Sequence, residues 1–212
     1  MEAEPRVPIH RNPYVWAFVV GCITLTVMRP LLRHVPAPPP VIGQLPAFAL
    51  TDAHGAGFAN EDLAGQVWIV SFFFTRCPSI CPALMARMAE LQRRLRDAGI
   101  DGVRLASITV DPANDTPEHL RATETGYGVD YPRWRLVTGA PERVRELCTN
   151  GFRVPGFAGA DVASNDIPHT SKVVLVDGGG GIRGYYDTDD SGLDEVFWRS
   201  QHVLDEMRSR AR

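Results

Sequence analysis

Residues Thr75-Arg76-Cys77-Pro78-Ser79-Ile80-Cys81-Pro82 join an apolar run, Val67 to Phe74, to an amphipathic stretch. That order reads as a strand, a turn and a helix start, and it constrains the fold more than any other feature of the chain. If Cys77 and Cys81 fall on the first helical turn, their Cα atoms are about 6 Å apart, within the range that a disulfide can close. Both sulfurs then share one face. A helix N-terminus carries partial positive charge and unpaired N–H groups, so a thiolate there is stabilised. The pair is a redox couple or half of a metal site. Two inert core thiols are a poorer reading, because each cysteine is followed by a proline that fixes the turn and opens the helix.

The 212 residues, 44% hydrophobic, are enough for one domain with a sizeable core plus appendages. Twenty-two basic against 25 acidic side chains give a net charge of −3 and no basic stripe, which removes the electrostatic case for nucleic-acid binding. Four cysteines are too few for a disulfide scaffold.

Four segments follow. Residues 1–13 form a polar, proline-broken tail. Residues 14–32 read as a transmembrane anchor: Tyr14 to Met28 carries no charge, and the stretch to Leu32 would span about 28 Å as a helix if Arg29 snorkels. A cleaved signal peptide is the competing reading, but no small-residue cleavage site follows Arg33. Val19-Val20-Gly21-Cys22 also loosely resembles a lipoprotein box that would lipidate Cys22, although the apolar run continues past it. Arg6 and Arg11 before the span balance Arg29 and Arg33 after it, so flanking charge barely decides orientation. Residues 33–46, with Pro36, Pro38, Pro39, Pro40 and Pro46, read as a stiff tether, and 47–212 as the folded domain.

Within that domain a small hairpin is expected from Phe48 to Phe58, with His54 at its tip. Leu84, Met88, Leu91 and Leu95 recur at helical spacing up to Gly99, and Val103 to Val110 reads as a second buried strand. Met85 and Met88 read as core rather than thioether ligands. Thr116 and Pro117 suit the cap and first position of a helix that carries His119, expected to be solvated. A strand at Arg135–Thr138 precedes a helix from Pro141 to Asn150, on which Cys148 reads as a core thiol. Phe152 to Pro168 reads as a surface loop that delivers His169. A hairpin across Gly178–Gly181 and an amphipathic helix carrying His202 close the chain. Alternating strands and helices with a final antiparallel pair predict an α/β fold, a mixed sheet flanked by helices.

Three blocks, in order, resemble the Sco (SenC/PrrC) family of membrane-anchored, thioredoxin-like copper-binding proteins. They are Cys77-Pro78-Ser79-Ile80-Cys81-Pro82, the stretch Val110 to Glu118 with Asp111-Pro112, and His169-Thr170-Ser171 leading to Val173–Asp177 and Ile182–Asp187. The resemblance implies a thioredoxin-like fold and a single copper ion, Cu(I) or Cu(II), held by Cys77, Cys81 and His169. Soft thiolates favour Cu(I) and imidazole suits both oxidation states, whereas structural zinc wants a closed fourth ligand. Asp111 is either an acceptor behind the ligands, a weak extra ligand, or the acid of an Asp-Pro turn.

The function implied is that of a copper chaperone, supplied by an upstream copper donor or a thiol reductant. It would deliver copper to the binuclear copper site of a cytochrome c oxidase subunit, with the domain on the periplasmic or equivalent non-cytoplasmic side of the membrane. The alternative is a thiol-disulfide oxidoreductase, with Cys77 and Cys81 as the redox pair, that keeps the oxidase's copper-ligand cysteines reduced. A peroxidase-like reading also fits the fold, but nothing in the sequence suggests a peroxide pocket around Cys77.

Overall fold

Strand β4 (Val67–Phe73) is buried at every position. Successive side chains of a strand point to opposite faces, so this burial requires cover on both sides of the sheet. The computed structural model describes residues 13–32, 37–154 and 171–211. On one face Trp68 and Phe72 of β4 meet Phe58 and Phe152, in each case with ring centroids 5.1 Å apart. On the other face Phe73 meets Tyr127.

The remaining strands are β1 (Gly43–Gln44), β2 (Ala49–Asp52), β3 (Gly57–Ala59), β5 (Val103–Thr109), β6 (Trp134–Thr138), β7 (Lys172–Val176) and β8 (Gly181–Asp187). They form one eight-stranded sheet in the order β1-β8-β7-β4-β5-β6-β2-β3. β4 pairs parallel with β5 and antiparallel with β7, which makes the sheet mixed as expected. Helices α2 (Ile80–Asp97), α3 (Pro117–Tyr127), α4 (Pro141–Glu146) and α5 (Asp190–Arg210) flank it. α2 buries Leu84, Met85, Met88, Leu91 and Leu95, the stripe read from the sequence, and both methionines are fully buried core residues. α3 begins as its sequence requires, with the Thr116 hydroxyl accepting from the His119 amide and Pro117 in the first turn.

Several details differ from the sequence reading. Gly43–Gln44, placed there in the tether, pairs with Ile182 and Gly181. The compact unit accordingly runs from Pro38. The helix expected to reach Asn150 ends as α4 at Glu146, and Leu147–Gly151 widens into a π-turn in which the Phe152 amide bonds the Leu147 carbonyl. Phe152 and Val154, placed in a surface loop, are buried. In the N-terminal unit, α1 (Pro13–Leu32) exposes Tyr14, Trp16, Phe18, Ile23, Leu25 and Val27. Among the described residues no helix is long and apolar enough to cross a membrane. Arg29 and Pro30 close the apolar run after Met28, and the span over 14–32 stands as an expectation of the sequence.

The four-glycine turn is held firmly. Asp177 Oδ1 accepts from the amides of Gly179 and Gly181, and a Cβ at Gly181 would fall 2.7 Å from Asp177 Oδ2, which explains the glycine. Arg183, 5% exposed, donates to Asp177 Oδ2 at 2.7 Å, to Glu206 Oε2 at 2.8 Å and to the Pro39 carbonyl at 2.8 Å. One guanidinium thus ties the end of the tether to the β7–β8 hairpin and to α5. Removing one member of a buried ionic group leaves the others uncompensated. Arg183→Met should therefore lower the urea unfolding free energy by about 3 kcal/mol. A loss too small to resolve would show that the network adds no net stability.

Candidate metal centre

At the end of β4 the chain makes a turn in which the Cys77 amide bonds the Phe74 carbonyl, with Thr75 and Arg76 as its central residues. α2 begins three residues later at Ile80. Cys77 therefore lies in the turn before the helix, and only Cys81 lies in its first turn, where the sequence reading put both. The consequence is that the Cys77 sulfur lies at the helix start, 3.9 Å from the Ser79 hydroxyl, while Cys81 is among the buried residues of α2. Both are buried and both are free thiols.

The two sulfurs differ chemically. Burial disfavours the Cys77 thiolate, but the Ser79 and Cys81 amides, the Cys81 thiol and the Ser79 hydroxyl together outweigh it and bring the thiol down to about 6. For Cys81, burial is the largest effect, and the hydrogen bond to Cys77 and the charges of Cys77 and Asp115 add to it, pushing this thiol up to about 12. The first proton leaves the pair near neutral pH and its charge makes the second harder to remove. Cys148, fully buried on the π-turn, is pushed up to about 12 by burial alone and is the core thiol that its spacing predicted.

The β5–α3 loop, residues 110–116, holds the turn. Asp111, 1% exposed, takes the Arg76 guanidinium at 2.7 Å on Oδ2 and the Asn114 amide at 2.8 Å on Oδ1, while its carbonyl accepts from the amides of Asn114 and Asp115. It shapes the Asp-Pro turn, and its carboxylate accepts from the side chain of Arg76, the residue before Cys77. Asp115, fully buried, accepts from the Thr75 amide at 3.1 Å and from the hydroxyls of Thr75 and Thr109. His119 is exposed as expected, but its Nε2 lies 3.0 Å from the Thr75 hydroxyl. His54 pairs with Glu124 at 3.0 Å and stacks on Tyr131. The sequence assigned His54 no role, and no local signal joins residues so far apart in the chain.

Two buried sulfurs, one of them ionised near neutral pH, are a soft donor pair that suits Cu(I). Among the described residues no three His, Cys, Asp or Glu side chains gather as a metal-holding group. His169 lies outside the described residues. Because β7 runs antiparallel to β4, its first residue, Lys172, lies toward the end of β4 from which Cys77 emerges.

The profile of the SCO1/SenC family matches residues 41–200. The chain belongs to that family. Similar solved structures include a SCO1/SenC family lipoprotein from Bacillus anthracis, 27% identical with a TM-score of 0.67, covering 77% of this chain and 96% of that one. BsSco, described as a member of the Sco family of cytochrome c oxidase assembly proteins with a disulfide switch, is 25% identical at a TM-score of 0.68, covering 80% and 98%. ScoI of Bradyrhizobium japonicum, solved with copper bound, is 24% identical at 0.60 over 76% and 99%, and at that identity bears on the fold alone.

The thiolate is the reacting form of a cysteine. Iodoacetamide labelling of the reduced chain, followed by peptide mass spectrometry, should therefore show Cys77 modification rising with pH through about 6 and then levelling, with Cys81 and Cys148 unmodified up to pH 9. Equal labelling of Cys77 and Cys81 at pH 7 would contradict the asymmetry.

Proposed function

We propose that this protein binds copper through Cys77, Cys81 and His169 and carries it to the binuclear copper site of a cytochrome c oxidase subunit. The observation that carries the reading is the unlike sulfur pair at the start of α2, on a SCO1/SenC fold. The SCO1/SenC family and the description of BsSco as a member of the Sco family of cytochrome c oxidase assembly proteins support it. The Cys77 thiolate is the ready donor for arriving copper, and Cys81 gives up its proton on binding, since thiols ligate metals as thiolates. His169, in the loop that leads into β7, supplies a nitrogen that thiolates alone do not offer to Cu(II). Asp111 acts behind the ligands by holding Arg76.

Anaerobic Cu(I) titration of the full chain against a competing chelator tests this. Cys77→Ser and Cys81→Ser should lose tight binding, and Cys148→Ser should keep it. His169→Ala should keep Cu(I) and the reversible Cys77–Cys81 disulfide while losing the thiolate-to-Cu(II) absorption. A full Cu(II) band in that variant would remove His169 from the ligand set.

A second reading is favoured by the same sulfur asymmetry and by the disulfide switch for which BsSco is described. It makes the protein a thiol-disulfide oxidoreductase acting on the oxidase's copper-ligand cysteines, with Cys77 as attacking thiolate and Cys81 as the resolving thiol. Wild-type protein that reduces a target disulfide but takes up no copper would install this reading in place of the first.

In the copper reading a membrane anchor at 14–32 precedes a tether and a copper domain that lies on the non-cytoplasmic side. The exposed apolar side chains of α1 support membrane attachment, and Cys22 on the same helix is the alternative point of attachment through a lipid. After alkaline carbonate washing the chain should stay in the membrane pellet at full mass. A trimmed soluble form would mean a signal peptide, and a trimmed pellet form with Cys22 lipidated would mean a lipoprotein.

A further inference from the structure

The turn that presents Cys77 has two central residues, Thr75 and Arg76, and each is gripped by a different buried carboxylate of the β5–α3 loop. Asp111 takes Arg76 through an exposed guanidinium, which is 59% accessible and so screened by water. Asp115 grips Thr75 in a different way. It is completely buried, and it takes both the backbone amide and the hydroxyl of Thr75. The Thr109 hydroxyl donates to the same carboxylate and accepts from the Asp111 amide at 3.1 Å, so the grip is anchored to the end of β5. A threonine hydroxyl has one proton, and that of Thr75 points to Asp115. Its lone pairs are left for His119, which therefore donates from Nε2. Every donor in this chain ends on Asp115.

We propose that Asp115 is a positioning residue for the dithiol, acting through Thr75 to hold the turn that places the Cys77 sulfur at the start of α2, 3.9 Å from the Ser79 hydroxyl. The proposal deepens the copper reading of Cys77 and Cys81 and rests on it for the purpose of the positioning. The effect is one of preorganisation: a sulfur held against fixed donors needs no rearrangement when it reacts or binds metal. Without the grip on Thr75, the two-residue turn is free to swing the sulfur away from the helix start and the Ser79 hydroxyl, and the reduced state loses a stabilisation that the disulfide never had.

The test is the equilibrium of the full reduced chain with oxidised glutathione, read by thiol trapping and mass spectrometry. In that exchange the S–H bonds of Cys77 and Cys81 give way to one S–S bond, and the glutathione disulfide takes the two protons and two electrons to become two thiols. Thr75→Val keeps the shape and the backbone amide but removes the hydroxyl. It should shift the equilibrium about tenfold toward the protein disulfide, the factor that about 1.4 kcal/mol represents. Thr75→Ser restores the hydroxyl and should stay within about twofold of wild type. In an Asp115→Asn background, Thr75→Val should add less than about a twofold change, because coupled partners are not additive. A merely structural role would lower thermal stability in both redox states and leave the glutathione equilibrium in place.

Wild-type behaviour of Thr75→Val, equal shifts in the valine and serine variants, or a full additional shift in the Asp115→Asn background would each overturn the proposal. A wild-type chain that binds no copper would instead sink the copper reading, and the glutathione measurement would still decide whether Asp115 positions the redox pair.

Discussion

Everything at the dithiol follows from where β4 is pinned. A strand buried at all seven positions cannot slip by one residue, because a slip would exchange its two apolar faces and misplace the Phe58, Phe152 and Tyr127 contacts at once. Its register with β5, from Val67 opposite Val103 to Phe73 opposite Thr109, brings the two strands to an end side by side. The turn to Cys77 and the loop that begins at Val110 therefore emerge together, and the Val110 amide bonds the Phe73 carbonyl across them. The parallel pairing makes this proximity possible, since it places both C-terminal strand ends on one edge of the sheet.

That shared edge lets two carboxylates from one loop hold two consecutive residues of another. Burying Asp115 without partners would be costly, so its three donors are needed for the loop itself to be stable. The turn in front of Cys77 is thus built into the folding of the domain. The electrostatic result is a dithiol of unlike members: amides face Cys77, while low polarity and neighbouring negative charge surround Cys81. A symmetrical pair on one helix face, the arrangement suggested by spacing alone, would not separate the two sulfurs in this way.

The parts of the fold legible in the sequence are those whose signal is local and periodic. The stripe from Leu84 to Leu95, the Thr116-Pro117 helix start and the glycine turn after Val176 each carry their cause within a few residues. β1 was not legible, because two residues have no period, and its place depends on the free edge of β8. The π-turn was not legible either, because Leu147–Gly151 differs from a helix end only in which carbonyl each amide finds. Around the dithiol, motif chemistry singles out Cys77, Cys81 and Asp111 and passes over Asp115 and Thr75. Each looks ordinary where it stands: a loop aspartate before a helix cap, and a threonine after a strand. Their connection spans 40 residues and exists only once β4 and β5 are in register.

The tether shows the same logic at the other end of the sheet. Arg183 holds the Pro39 carbonyl beside the β7–β8 turn, and Val176 at that turn lies opposite Trp68, where β4 begins. Cys77 follows the far end of β4. From Trp68 to Phe73 the strand rises about 17 Å. Pro39 is thus held at the end of β4 remote from Cys77. Any other path for the tether leaves Arg183 with an unmatched proton donor in the interior, and an uncompensated buried charge is costly. The glycines of the turn serve the same end by letting Asp177 curl under the hairpin and meet that guanidinium.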